Sequence, residues 1–495
     1  MSADLLFMIT YMASITTAKA TRPEIFAYTA RKLEYIPSKY IAKVEFFVKR
    51  WNYSYVQALS IMAERTSNEM LRSMMDRYAN SIESGVPDED FLVKELSTTR
   101  SKYRNRYETG LEMLKKWGDA YIAMMFAASL VGIIMMVSTA IFTPDNVQTT
   151  FTISYFVVLA VALFGVFTMY RAVPTDSKTH TLDTGSKEQN IIHRMEKKIL
   201  PINAICAILI LIFVPNSFGL VFLFIGVLLF PLGIIGYLDD KNIIGRDAEF
   251  TTFIMSLGAV MGGKGITIGA ALNEIDRKSL HVLEPLINSV YSKLNLGLSD
   301  KQSWEKFIRE SGSNLIYKYL NIFRDSIELG GTADKIGEIS ATSMLEQVLL
   351  REKRSMNAMG FVVLLIPMHA MMIAIFLFLF HILLTMSHAI QSVMTSVGAT
   401  GSAAMAGGSG SIGGSMGSSL TMFVNFPEKE MGVYVMIMMA ILTTVNIIAG
   451  KVVMGGDRYL YYFFACILFT LTGIIYIGAP FLVGMFFSIP TFAGV

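Results

Sequence analysis

The sequence predicts an all-α, polytopic membrane protein in which one polar helical domain occurs twice. Three observations lead there. Hydrophobic residues make up 53% of the chain and charged residues only 16%, with a mean hydropathy of +0.50, whereas soluble domains sit near a quarter charged. Polar blocks with helical periodicity alternate with apolar runs of about 20 residues, the length that crosses a bilayer core. A helix-closing stretch also recurs, as Asn80-Ser81-Ile82-Glu83-Ser84-Gly85 and as Asp325-Ser326-Ile327-Glu328-Leu329-Gly330-Gly331.

Each copy of that stretch ends an amphipathic pattern. Leu71, Met75, Tyr78 and Ile82 in the first, and Ile316, Leu320, Phe323 and Ile327 in the second, fall on one helix face. The glycine that follows supplies the left-handed conformation that stops the helix. The offset of 245 residues also holds upstream: Met8, Met12 and Ile15 map onto Phe253, Leu257 and Val260, and Lys19 onto Lys264. The match drifts by about a residue between these anchors, as loop insertions would cause. A shared offset over such a length marks a duplicated domain.

Taken in order, residues 1–118 form the first domain, with charges of both signs and with Pro23, Pro37 and Pro87 as punctuation. Four to six helices are expected. The last turns Phe91, Leu92 and Leu96 inward and carries Arg100, Lys102, Arg104 and Arg106 towards the membrane. A hairpin of spans at 120–142 and 150–170 follows, joined by Thr143-Pro144-Asp145-Asn146, and makes up segment 119–170. Residues 171–198 read as a polar linker, and 199–238 as a second hairpin with spans at 199–215 and 218–238. The second polar domain is 239–354. The remainder, 355–495, opens with a span at 359–386. A Gly/Ser-rich stretch at 387–427 reads as a flexible loop. A span at 431–448 and the turn 451–458 lead to an apolar stretch at 459–495, broken by Gly473, Gly478, Pro480 and Pro490. That stretch fits one span plus a re-entrant or interfacial tail. About seven spans are expected, eight being the alternative.

Lysine and arginine set the orientation. With both polar domains, 171–198 and 451–458 on one side, the loops on the other hold a single basic residue, Lys429. Both domains are therefore expected in the cytoplasm and the Gly/Ser-rich loop outside. Asp4 and the lack of a basic leading segment do not fit a signal peptide. The net charge of +3 is too small and too mixed to suggest nucleic acid. Cys206 and Cys466, each in an apolar run, read as packing residues.

Enzymatic chemistry finds no support. Gly262-Gly263-Lys264-Gly265 sits in a helical pattern with no preceding strand, unlike a phosphate loop. Gly413-Gly414-Ser415-Met416-Gly417 matches the spacing of a nucleophile elbow without the strand and helix that elbow needs. His193 and Glu196 share a helix face, but two ligands do not close a metal site, and a solvated linker pair is the better reading. No catalytic, cofactor or metal site is expected. His369 and His381 fall on different faces of their span and read as bundle-interior or lipid-interface residues, with Pro367 as a kink point. Paired intramembrane charges of the kind an ion-coupled transporter uses are not seen.

Two sets of residues are candidates for partner contact. The basic clusters Arg100, Lys102, Arg104, Arg106 and Arg351, Lys353, Arg354 suit anchoring to anionic headgroups, and would also suit an acidic protein face. Glu83 with Gly85, and Glu328 with Gly330, stand at equivalent positions of the repeats. They read as solvated helix-end carboxylates or as intradomain partners of Arg77 and Arg324, the alternatives being a polar contact between copies or a weak cation site.

These features resemble the F-type platform proteins of type II secretion and type IV pilus machines (the GspF/PilC family), with a layout nearer its archaeal, FlaJ/ArlJ-like branch. The resemblance rests on two helical domains, each followed by spans, and on Ile82-Glu83-Ser84-Gly85 and Ile327-Glu328-Leu329-Gly330, which are similar to the family's helix-end motif. Arg246-Asp247-Ala248-Glu249-Phe250, Gly265 and Ala270-Ala271-Leu272 are similar to its lead-in to the second domain. It covers most of 1–385, and the first domain is the more diverged. The extra spans fit archaeal members, whereas bacterial ones usually have three. By this resemblance the chain would be the membrane platform of an archaellum or pilus, with a hexameric secretion ATPase, pilin- or archaellin-like subunits, membrane lipid and a second copy of itself as partners. A transporter or a signalling scaffold with duplicated cytoplasmic domains is the alternative.

Overall fold

The computed structural model describes residues 2–142, 146–174, 176–214, 217–404 and 427–486, with 393–404 as backbone only. Among these residues are sixteen α-helices. The first copy supplies α1 (Ser2–Thr16), α2 (Arg22–Arg31), α3 (Ser38–Trp51), α4 (Tyr55–Glu64), α5 (Glu69–Glu83) and the start of α6 (Asp88–Phe142). Then come α7 (Val147–Ala172), α8 (Lys187–Phe213) and α9 (Phe218–Lys264). The second copy continues with α10 (Ile268–Glu274), α11 (Glu284–Asn295), α12 (Asp300–Ser311), α13 (Asn314–Glu328) and the start of α14 (Ala333–Ala404). The chain closes with α15 (Glu428–Met454) and α16 (Leu460–Phe486).

The duplication is exact in its helix ends. Both α5 and α13 have 15 residues, and their first residues are 245 positions apart, as are those of α6 and α14. A polar cap opens each. Asn68 Oδ1 accepts from the Leu71 amide at 3.0 Å, and Ser313 Oγ from the Leu315 and Ile316 amides at 3.1 and 3.2 Å. At the other end the Gly85 and Val86 amides donate to the Ile82 and Ser81 carbonyls, both at 3.1 Å. Those of Gly330 and Gly331 donate to Ile327 and Ser326, both at 2.9 Å. Gly85 (φ +72°) and Gly330 (φ +86°) take the left-handed turn this closure needs.

The chain divides into two compact units. One comprises Met1–Leu111, Pro174–Ile191 and Leu238–Ser355, so it holds both copies and most of the linker. Helix α1 is its apolar centre: every residue from Leu5 to Thr16 is buried, and the helix packs on α2 and α13. The Phe7 ring meets the edge of Tyr319 at 5.4 Å between centroids. Fifteen residues rise only about 22 Å, short of a bilayer core, so this helix hides its apolar surface in protein. Its counterpart is the closing part of α9, where Phe250, Phe253, Ile254 and Leu257 are buried. There Gly258 lets α14 come close, because a Cβ would meet the Ala333 carbonyl oxygen at 2.5 Å.

The other unit comprises Glu112–Val173, Ile192–Tyr237 and Met356–Val495. Among the described residues six helices are long and apolar enough to cross a membrane: α6, α7, α9, α14, α15 and α16. That is one fewer than the sequence suggests. The expected 199–215 span is the second half of α8, whose first half carries Glu188, Arg194, Glu196, Lys197 and Lys198. The helix ends at Phe213, and 215–216 lie outside the described residues, so the described part is shorter than the spans counted here. Helix α16 runs unbroken through Gly473, Gly478 and Pro480, so this part of the expected broken stretch is one helix; 487–495 lies outside the described residues. Helix α14 continues to Ala404, into the stretch expected to be a flexible loop. The rest of that stretch, including Gly413–Gly417, lies outside the described residues.

In this second unit α15 packs on α7 and α16 and brings polar atoms together in an apolar setting. Tyr434 donates to the Gly132 carbonyl at 2.9 Å, while its oxygen lies 2.7 Å from Ser154 Oγ. Further along, the buried Tyr121 hydroxyl donates to Asn446 Oδ1 at 2.7 Å. Asn446 Nδ2 lies 3.0 Å from His369 Nδ1, and His369 Nε2 lies 2.9 Å from Thr472 Oγ1. Where no water competes, such bonds hold helices together side by side. His369 is thus an interior residue joining α14 to α15 and α16.

Candidate functional site

The repeated helix ends emerge at the surface of the first unit. Glu83 and Glu328 are both exposed. Arg324 reaches 3.7 Å from Glu328 and 3.5 Å from Asp300. Arg77, the expected partner of Glu83, turns instead to the buried Glu95, its Nε donating at 2.9 Å. The two ends are therefore alike in backbone and different in ion pairing.

Polar contacts join the copies within the unit. Lys32 pairs with Asp325. Lys318 Nζ lies 3.3 Å from Glu34 Oε2 and 4.9 Å from the Tyr35 ring centre. Between α6 and α14, Arg104 meets Glu346 at 2.5 Å, Lys353 meets Glu108 at 2.8 Å and Lys335 meets Glu89 at 3.4 Å. These last pairs are largely exposed, and each adds little to stability. Lys102 is exposed, Arg100 is half-buried, and Arg106 donates to Ser2 Oγ at 3.4 Å.

The strongest electrostatic feature lies elsewhere, where residues 176–189 lie against the second copy as a strap. Arg351 Nε and Nη2 donate to the two oxygens of Asp176 at 2.6 and 2.7 Å, and Nη1 donates to Asp247 at 2.7 Å. Ser313, the cap of α13, donates to the same Asp247. Lys178 pairs with Asp240 at 2.8 Å. Asp239 accepts from Ser186 Oγ at 2.7 Å and from Gln189 Nε2 at 3.0 Å. Arg246 donates to the Ser311 carbonyl at 2.9 Å and to Glu188 at 3.2 Å. The strap backbone joins in, with Thr179 bridging to Ser313 and the Asn314 amide donating to the Lys178 carbonyl at 2.9 Å.

Burial works against ionising both carboxylates on Arg351, with opposite outcomes. For Asp176 the doubly bonded Arg351, with Arg354 and Lys178, outweighs burial and holds the carboxyl below its usual range. Asp247 receives a single bond from Arg351, and burial pushes it up to about 6, with Asp176 adding to the push. Arg351 and Arg354 are buried here, and Arg354 Nη1 donates to the Pro174 carbonyl at 3.3 Å. The sequence reading groups both with Lys353 as cations for anionic headgroups or an acidic protein face; of the three, only Lys353 is exposed. The strap itself reads in sequence only as a polar linker. Its one signal is the Asp239-Asp240 pair abutting an apolar run, a place where acids need partners.

His193 and Glu196 also differ from the solvated pair expected. The Tyr459 hydroxyl lies 3.0 Å from His193 Nε2, while Tyr462 donates to Glu196 at 2.7 Å and Arg458 at 3.2 Å. They fasten α8 to the start of α16.

Comparison with known proteins follows the duplication. The family model described as type II secretion system, protein F, matches residues 8–136 and 253–383, more than half of the chain. The Flagella accessory protein J of Methanocaldococcus jannaschii is 24% identical over 372 residues, covering 72% of this chain and 65% of that protein. The protein of the same name from Methanococcus voltae is 22% identical over 334 residues, covering 64% of this chain and 59% of its own length. This chain thus spans less than two thirds of either relative. No solved structure matches it. Both stretches matched by the family model run from one copy of the repeated domain into the apolar helix that follows it. The chain belongs to the type II secretion system protein F family.

Proposed function

We propose that this protein is the membrane platform of an archaellum or type IV pilus-type assembly machine. In this role it couples a cytoplasmic, hexameric secretion ATPase to the insertion of pilin- or archaellin-like subunits into a filament. The observation that carries the proposal is the duplicated helical domain, matched in both copies by the secretion family. Each copy leads into apolar segments through an unbroken helix, α6 or α14. Motion imposed on the polar copies reaches the apolar helices through these two elements and α9. The similarity to two Flagella accessory proteins favours a filament over secretion of folded cargo.

The distribution of lysine and arginine supports a cytoplasmic position for both polar copies. Contact with the ATPase falls to their exposed charges, Glu83, Lys102, Arg104, Arg106, Glu328 and Lys353, beside Gly85 and Gly330, while Arg100 lies at the margin and Arg351 and Arg354 hold the strap. The apolar helices, rich in methionine, give adaptable surface to the hydrophobic helices of the subunits. Lipid and a second copy of the chain complete the assembly. Deleting the gene tests this reading: cells are expected to lose their surface filaments and regain them on complementation. Filaments unchanged by the deletion would refute it.

A further inference from the structure

The turns after α3 and α11 are equivalent in the two copies. Trp51-Asn52-Tyr53-Ser54 and Leu296-Gly297-Leu298-Ser299 stand 245 residues apart. In each, the second residue is left-handed, Asn52 with φ +56° and Gly297 with φ +74°, and the serine stands at the N-cap of the next helix. The left-handed residue reverses the chain, so the side chains on either side of it splay outward. Trp51 is 59% exposed and Tyr53 37%; Leu296 is 79% exposed and Leu298 51%.

A lone exposed apolar residue needs no explanation. Here two large ones flank the same left-handed residue in both copies, although their identities differ. What the copies share is apolar size at fixed positions, much of it left exposed. The first turn is also ordered in advance. The Trp51 ring lies 5.1 Å from Phe47 and 6.1 Å from Tyr53, so little freedom is lost on docking. Exposed charges stand nearby, Arg50 beside the first turn and Asp300 with Lys301 beside the second.

We infer that these turns are paired docking knobs for a protein partner that offers at least two equivalent apolar pockets with charged rims, as neighbouring subunits of one homo-oligomer do. Two like knobs on one chain match a pocket that the partner repeats. A bilayer interface suits the first turn, with its Trp, Tyr and Arg, but not the second, where Leu296 and Leu298 are followed by Asp300. On the function proposed above the partner is the ring ATPase, and the inference rests on that reading.

The test uses the full chain in nanodiscs as wild type, Trp51→Ser, Leu296→Ser and the double variant. Each is titrated with the ATPase from the same cell, both as assembled ring and as dissociated subunit. The wild type is expected to bind two dissociated subunits per chain and each single variant one. For the assembled ring, losing one knob removes the gain from linked binding, a weakening of about 10²–10⁴-fold. Both substituted positions are exposed, and Trp51→Phe, which keeps the aromatic body, is expected to retain binding. Wild-type affinity and stoichiometry in both single variants would overturn the inference and leave the proposed function standing. A wild type that does not bind the ring at all would overturn both. Quenching by brominated lipid of the fluorescence that Trp51→Phe removes would assign the knobs to the bilayer and overturn the inference. So would loss, in the single variants, of self-association alone.

Discussion

Arg351 of α14 grips Asp176 of the strap with two parallel hydrogen bonds, at 2.6 and 2.7 Å. The residues are 175 positions apart, and their side chains are only 3% and 8% exposed, so their pairing ties the stretch between α7 and α8 to the second copy. Removing the cation would leave Asp247 buried without its ion-pair partner and Asp176 with only the weaker influence of Arg354 and Lys178. Arg351→Met is therefore expected to destabilise the protein by about 3–5 kcal/mol, read from chemical denaturation in detergent. Lys353→Ala, two residues on and exposed, is expected to cost less than about 1 kcal/mol. Equal effects would mean that burial of the cluster does not govern its energy.

The strap also sets a pH dependence. Asp247 is pushed up to about 6 in the folded protein, above its value in an unfolded chain. Its contribution is fully present below the unfolded value, near 4, and is lost as pH rises through about 6. Asp176, held low, works the other way and withdraws its contribution only as pH falls below the ordinary carboxylate range. Between pH 4 and 6 the wild type is expected to show a component of stability that declines with rising pH and is absent in Asp247→Asn. Parallel stability–pH curves for the two proteins would refute the assignment.

Adjacent glycines at the end of α13 serve different ends. Gly330 needs its φ of +86° and has open space around it, whereas a Cβ at Gly331 would meet the Ser326 carbonyl and Thr17 Oγ1, both at 2.8 Å. Gly330→Ala is expected to cost about 1 kcal/mol, and Gly330→Asn less, because asparagine tolerates the left-handed region. At Gly331 both substitutions are expected to cost about 1–3 kcal/mol through overpacking. Thermal unfolding of the four variants checks the pattern, and relief by Asn at Gly331 would contradict it.

In the apolar unit, Asn446 stands between Tyr121 and His369. Asn446→Leu would strand both partners, and an unmade buried hydrogen bond costs about 1–3 kcal/mol. Thr443→Val, at the end of the chain of bonds and 3.1 Å from Thr472, is expected to cost less. Detergent-resistance or thermal assays on the full chain measure the difference, and reversed ranking would show that Asn446 is not the joint.

Much of this architecture is legible in the sequence because its causes are local. The 245-residue repeat shows itself through caps, apolar spacing and a glycine, each fixed by a few neighbouring residues, and the main spans follow from composition. What stays hidden depends on distant partners. Nothing around Arg351 distinguishes it from Lys353, since the aspartate that claims it lies in what reads as a polar linker. The interior role of His369 needs Asn446 and Thr472, which carry no signal of their own among apolar neighbours. The α1 helix reads as part of a polar domain because its burial comes from α13, some 300 residues later. The second half of α8 reads as a span by composition, and only the structure shows that it continues without a break from the charged stretch at 187–198.

The central claim is that a secretion ATPase works through this chain. Its most direct test places the full protein in nanodiscs and titrates in the ATPase from the same cell, at low and moderate salt, following both binding and ATP turnover. Binding that weakens as salt screens the exposed charges, together with a change in turnover on binding, is the predicted result. Turnover unaffected by the platform and no binding at either salt concentration would contradict the account.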